Sequence, residues 1–164
     1  MVRSNSWFTL AALLLLLGAC SRTPETKAPP PTEQANSDCV RGEPVPLLEA
    51  SRSVFRKISA LEADETLTGD SPVGVRIHHF GCTAYALEFN LAWKDSAPAN
   101  LNEAAAGVIA GLPARPESRA ALQQIAEAAR KLQGSEVRIS ESETLAVVPQ
   151  PDAHLLRLRY AVTL

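Results

Sequence analysis

Apolar and polar residues alternate in two runs near the middle of the chain. The first run places Val73, Val75 and Ile77 on one side, and the second does the same with the odd-numbered positions from Tyr85 to Leu91. A period of two residues is typical of a β-strand with one buried face. Gly81 and the adjacent cysteine separate the runs, so we expect a hairpin.

The C-terminal third shows the same period. Short apolar runs around Val137 and over 145–148 predict two strands, and the turn at 149–152 precedes a longer one. In that last strand the even positions from Leu156 to Leu164 are apolar or aromatic. Arg157 and Arg159 fall on the other face, which the alternation predicts to be in water.

Three segments instead favour helices, the first and third by apolar spacings of three and four residues and the second by its start and stop signals. The first runs from Leu47 to Leu61, although Val54, Phe55 and Ile58 also suit a strand. The second begins at the cap Asn100, with Glu103 reaching back to it, and ends at Gly111. The third opens with Pro116 and Glu117 in its first turn and ends at Gly134.

This order of elements predicts a mixed α+β fold. Clean alternation indicates strands with one wet face, and helices must then cover the other face. We therefore expect one α+β domain over residues 39–164, a two-layer sandwich with a mostly antiparallel sheet and helices packed on one face.

The N-terminus has the layout of a secretory signal peptide. Arg3 precedes an apolar run of about eleven residues, which is too short to span a membrane. Leu17-Gly18-Ala19-Cys20 resembles the lipobox of bacterial lipoprotein precursors. The resemblance implies cleavage of residues 1–19, lipidation of Cys20 and a membrane anchor. In such lipoproteins an Asp directly after the cysteine often retains the protein at the inner membrane. This chain has Ser21 there, which favours the outer membrane, facing the periplasm.

Residues 20–38 have the composition of a flexible tether. They contain four prolines among polar residues and no large apolar side chain, so they cannot bury enough surface to offset their ordering entropy. Of the three cysteines, Cys39 and Cys82 remain if Cys20 is acylated. An even pair in an oxidising compartment favours a disulfide, with two buried thiols or a fragment of a metal site as alternatives.

Charge and composition exclude some partners. The chain has 16 Lys and Arg against 18 Asp and Glu, and the two signs are interspersed. Because there is no basic stripe to neutralise phosphates, we expect no nucleic acid as a partner.

Candidate chemistry is sparse. His78 and His79 are adjacent in a strand and should face opposite sides, so they cannot share one metal ion. A hydrolytic Ser-His-acid set could be drawn from Ser140 or Ser142, His154 and Asp152, but the sequence has no nucleophile elbow to support it. We read Glu136, Glu141 and Glu143 as a solvated acidic edge. Trp93 and Phe80 could be exposed anchors but more often cap a core. No cofactor and no metal are expected.

These observations favour a non-catalytic protein-binding module displayed in the envelope: an inhibitor, an immunity-type protein or an adaptor. Two alternatives stay open, an accessory subunit of an envelope assembly and a small metal-dependent periplasmic enzyme that uses His78, His79 or His154. We expect the binding contact on the wet face or an edge of the sheet, where arginines such as Arg157 and Arg159 could set specificity.

Overall fold

The computed structural model describes residues 42–150, 152 and 154–163. They form seven strands that pair side by side in one sheet, every pair antiparallel. The strands are β1 (Ser53–Lys57), β2 (Ala63–Leu67), β3 (Val73–Phe80), β4 (Ala84–Trp93), β5 (Glu136–Arg138), β6 (Glu143–Val148) and β7 (Leu155–Thr163). Their order across the sheet is β1-β2-β3-β4-β7-β6-β5.

Two helices lie between β4 and β5 in the described chain, α1 (Leu101–Ala110) and α2 (Arg119–Lys131). The cap at Asn100 is confirmed, since its side-chain oxygen accepts a hydrogen bond from the Glu103 amide at 3.1 Å. The Glu103 carboxylate does not return to the cap in the contacts seen; it lies 3.3 Å from Nε of Arg130 on α2. Gly111 ends α1 as predicted.

The helix predicted from Leu47 to Leu61 is wrong. Residues 53–57 form β1, and β2, which the pattern did not reveal, follows at once. Val54, Phe55 and Ile58 are β-branched or aromatic and also suit a strand, and pairing with β2 decides for the strand. Propensity is a weak guide where tertiary pairing supplies the hydrogen bonds. β2 gave no signal because it buries Asp64 and Glu65 in place of apolar residues.

The mixed α+β class and the antiparallel sheet are confirmed, as are the β3–β4 hairpin and the long C-terminal strand. One cluster of buried apolar side chains includes Ile109 of α1, Ile125 of α2 and alternate residues of the strands, among them Ile77, Phe89 and Leu158. The other alternate positions of the central strands include the polar side chains Arg76, His78, Glu88, Asn90, Arg157 and Arg159. Within the part of the chain described, no helix is long and apolar enough to cross a membrane.

Candidate functional site on the polar face of the sheet

The polar positions of five adjacent strands form one continuous surface, here called the polar face. Because the side chains of a strand alternate between its two sides, facing residues on neighbouring strands fall into rows across the sheet. One row runs Arg56, Asp64, His78, Glu88 and Arg159 from β1 to β7. The next row runs Thr66, Arg76, Asn90 and Arg157.

Asp64 organises the β1–β3 half of this face. Nε and Nη2 of Arg76 donate to its two carboxylate oxygens at 3.1 and 2.7 Å, which is a bidentate contact. Nη2 of Arg56 donates at 3.2 Å, and Nδ1 of His78 lies 2.9 Å from Oδ1. The Asp64 side chain is only 6% exposed, so these three neighbours replace its water.

The pKa of Asp64 reflects this arrangement. Burial alone would raise the pKa, but hydrogen bonds from Arg76, His78 and Arg56 outweigh burial and lower it to about 2. The carboxylate is therefore ionised throughout the physiological range and holds both guanidinium groups in place.

Glu88 plays the same part between β4 and β7. Nη2 of Arg159 donates to one of its oxygens at 3.0 Å, and Nε of Arg157 lies 3.2 Å from the other. That same Nε donates to Oδ1 of Asn90 at 2.8 Å. Glu88 is nearly buried while both arginine side chains reach solvent, so the cationic groups form the outer layer of the face.

An aromatic contact extends the polar face at the end of β3. The ring of Phe80 stacks on His78 with centroids 5.1 Å apart, and the guanidinium carbon of Arg159 lies 5.4 Å from the centre of the same ring. A cation over an aromatic face is attracted by its quadrupole. Phe80, considered as a binding anchor from the sequence, thus restrains Arg159 and His78.

The outer layer is positively charged, although the whole chain is slightly acidic. Side-chain exposure is 73% for Arg56, 55% for Arg76, 37% for Arg157 and 46% for Arg159, while the two carboxylates beneath them are nearly buried. Four guanidinium groups thus stand over these two carboxylates, and the partly exposed Glu62 lies at the same surface, 3.2 Å from Nε2 of His78. A shallow depression lies at the β1–β3 end, lined by Val54, Arg56, Asp64, Thr66, Thr68 and Arg76.

The opposite side of the same strands holds a buried acid–base pair. Glu65 and His79 are both 0% exposed, and Nε2 of His79 lies 3.4 Å from Oε2 of Glu65. The Glu65 carboxylate accepts hydrogen bonds from the amides of Leu47 and Leu48, each at 2.9 Å, and from the Ser53 hydroxyl at 3.2 Å. Burial raises the pKa of Glu65, but contacts with His79, Leu47 and Leu48 outweigh it and lower the pKa.

This pair fastens the segment before β1 to the sheet. The carboxylate oxygens of Glu65 accept hydrogen bonds from two backbone amides of that segment. The ring of Phe55 meets the His79 ring edge-on at a centroid distance of 5.5 Å. Both groups lie below the surface, so we assign them a structural role.

The structure confirms that the two neighbouring histidines face opposite ways. His79 is completely buried beside Glu65, whereas His78 is partly exposed beside Asp64. Among the residues described, no three or more His, Cys, Asp or Glu side chains group as a metal site. His154 is exposed, and the contact seen with Asp152 runs from the His154 backbone amide to the carboxylate at 2.8 Å.

Of the predicted acidic edge, Glu136 and Glu141 are exposed, and Glu143 accepts a hydrogen bond from the hydroxyl of Tyr160. Cys82 is partly buried in the β3–β4 connection. Cys20 and Cys39 lie outside the described residues, so lipidation and the Cys39–Cys82 disulfide stay predictions.

The alternation in the sequence placed three of the four arginines and one of the two buried carboxylates, Glu88, on the polar face, but it missed Arg56 and Asp64. Arg157 and Arg159 were visible because β7 alternates cleanly. Asp64 stood in a segment with no strand signal, and Arg56 stood in one taken for a helix. Glu88 and Asn90 shared a face with Ala86 in β4, which indicated where they point but not that arginines meet them.

No family model matches the chain, and neither the search of curated proteins nor that of solved structures found a match.

Proposed function

We propose that this chain is a membrane-anchored lipoprotein of the bacterial envelope that binds a protein partner and catalyses no reaction. The class is that of an inhibitor, an immunity-type protein or an adaptor. Lipid on Cys20 holds it at the membrane, with the outer membrane facing the periplasm as the proposed location. The signal-like N-terminus and its lipobox resemblance support the anchor.

The two-layer arrangement belongs to the same proposal. Both helices contribute to the apolar cluster, and so do the strand positions opposite the polar face. The helices then cover that apolar side, and the polar face is left for a partner. An antiparallel sheet with one solvated side is a common architecture.

The observation that carries the proposal is the set of four arginines fixed on one surface. Arginine is enriched at the energetic centres of protein interfaces, where its guanidinium forms charge-assisted and stacking contacts. Buried Asp64 and Glu88 hold these groups in place before binding, so less side-chain entropy is lost on association. The expected partner surface is acidic.

Tethering makes a modest interface effective. A domain on a membrane-anchored linker searches only the volume near the bilayer, which raises its effective concentration toward a partner at the same membrane. A Pro-rich linker such as residues 20–38 extends by roughly 3 Å per residue where it is polyproline-like, giving a reach of tens of ångströms.

Site-specific photo-cross-linking in intact cells tests the proposal. A photoreactive residue replaces the exposed Thr66 on the polar face or, as a matched control, the exposed Glu127 on α2. We expect a discrete protein adduct from position 66 and none from position 127. Adducts of equal yield from both positions, or none from position 66, would refute the polar face as the binding surface.

A further inference from the structure

Strand β1 ends the sheet on one side, and its outer edge has no partner strand among the described residues. Two backbone hydrogen bonds, one at each end of β1, show which of its residues bond toward β2. The Thr68 amide donates to the Arg52 carbonyl, and the Ile58 amide donates to the Glu62 carbonyl. Bonded residues alternate along an antiparallel pair, so Val54 and Arg56 also bond inward. The backbone groups of Ser53, Phe55 and Lys57 therefore point away from the sheet.

The side chains beside this edge have a definite pattern. Val54 is 58% exposed and Ile58 is 47% exposed, and both belong to the few large apolar side chains that the described residues leave in solvent. Arg56 stands between them on the same face. An added strand would thus meet an apolar, a cationic and an apolar position in turn.

Charge selects the occupant. Residues 52–58 contain Arg52, Arg56 and Lys57 and no acidic residue. Lys57 is paired with Glu43 at 2.6 Å, so the exposed Arg52 and Arg56 are the cations that face an added strand. Pairing with the β1 edge of a second copy would place like charges together, and cationic residues on edge strands are a known guard against such pairing. An acidic strand turns the same charges into attraction. The opposite edge, β5, is only three residues long and carries Glu136 as well as Arg138.

We propose that the outer edge of β1 takes up an extended acidic segment of the protein partner as an additional strand. Main-chain hydrogen bonds from Ser53, Phe55 and Lys57 supply affinity, as in other strand-addition complexes. Specificity comes from an acidic residue opposite Arg56 flanked by apolar residues opposite Val54 and Ile58. This inference rests on the proposed protein-binding function and adds the chemistry and conformation of the bound segment.

Hydrogen exchange on the full-length chain in detergent gives the first test. The amides of Val54, Arg56 and Ile58 should exchange slowly because they bond to β2. Those of Phe55 and Lys57 should exchange at least tenfold faster. Equal protection along β1 would mean that the edge is already occupied, and the proposal would be wrong.

Blocked peptides give the second test. The palindromic peptide TVTDTVT presents Asp opposite Arg56 in either chain direction, and titration should shift the NMR signals of β1 selectively. For an antiparallel added strand, N-methylation of the two threonines that flank Asp should abolish the shifts, whereas N-methylation of the two valines should not. For a parallel added strand, N-methylation of Asp and of the second valine should abolish them instead. Arg56→Gln should weaken binding roughly three- to fivefold, the range expected for an exposed charge pair. The matched peptide TVTKTVT should bind this variant as well as TVTDTVT does.

Two results would overturn strand addition: no β1 shifts at millimolar peptide, or equal binding of the Asp and Lys peptides to the unmodified chain. Either result leaves the proposed function standing, because the cross-link from position 66 on β2 reports contact with the polar face and not pairing with the β1 edge. Loss of the cross-link while the peptide still binds β1 would instead refute the proposed function and retain the edge site.

Discussion

Two buried carboxylates organise the cationic surface, and each does so at low cost in desolvation. Asp64 and Glu88 are screened from water, but every arginine they hold keeps part of its guanidinium in solvent. Only one partner of each ion pair loses most of its hydration, which avoids the penalty of a fully buried pair. Charge-assisted hydrogen bonds then fix the geometry of the exposed partner.

The low pKa of Asp64 makes stability depend on pH in a defined window. Its pKa is about 2 in the fold and 3.8 ordinarily, so its stabilising contribution is complete above about pH 5 and is lost as the pH falls toward 2. Asp64→Asn should cost about 1–3 kcal/mol at neutral pH, because the arginines lose a charged acceptor. Denaturant titrations from pH 7 to pH 2 should show this difference shrinking on acidification.

Asp70→Asn is the matched control for that experiment. Asp70 is fully exposed and lies 3.2 Å from the Nζ of Lys94, and solvent screens a surface pair of this kind so that it contributes little to stability. A difference between Asp64→Asn and the unmodified chain that stays constant from pH 7 to pH 2 would contradict the assigned role.

Among the elements, the β3–β4 hairpin depends on one glycine. Gly81 has a φ of +119°, and a Cβ built there would lie 1.9 Å from the Ala84 carbonyl oxygen. β3 and β4 carry much of the polar face, so this turn sets the register of His78 against Glu88. A side chain at position 81 must move the backbone of the turn.

Gly81→Ala is therefore expected to destabilise the protein by at least about 1–3 kcal/mol, the range for backbone strain of this kind. Gly107→Ala in α1 provides the opposite case. A Cβ there has nothing within 4 Å, so the substitution should stabilise by about 0.5–1 kcal/mol. Urea denaturation of both variants measures the contrast, and a Gly81→Ala variant as stable as the original would show that the turn tolerates a side chain.

The elements with a clean period were predictable, and those defined by buried charge were not. β3, β4, β7 and α2 were predicted because one face of each repeats apolar residues at a regular spacing, and α1 was predicted from its start and stop signals. β1 and β2 were missed because β2 buries Asp64 and Glu65, whose partners come from other strands and from backbone amides. Such partners are set by the three-dimensional fold and leave no periodic trace in the sequence.

For the whole molecule, attachment to the membrane is the first expectation to test. Cys20→Ala should move the protein from the membrane fraction to a soluble or uncleaved form, because one residue carries the whole predicted anchor. Fractionation with mass measurement of the mature chain checks this. A mature protein without acyl chains would contradict it.

The Cys39–Cys82 disulfide is a second expectation at this scale. Non-reducing peptide mapping should recover the two cysteine-containing peptides linked to each other. A bridge that closes a loop of this length stabilises by roughly 4 kcal/mol in the chain-entropy model, so reduction should lower the unfolding midpoint. Two titratable thiols in the native protein would contradict the pairing.

Capture of the partner from cross-linked envelopes tests the central claim most directly. The unmodified chain is compared with Arg157→Gln/Arg159→Gln and with the control Arg115→Gln/Arg119→Gln, which removes the same charge away from the polar face. All three must reach the membrane in equal amount and unfold cooperatively. We predict that the polar-face variant recovers at least tenfold less of a specific partner than the unmodified chain does. The control should recover as much of it as the unmodified chain. Equal recovery of that partner by all three chains would contradict the account.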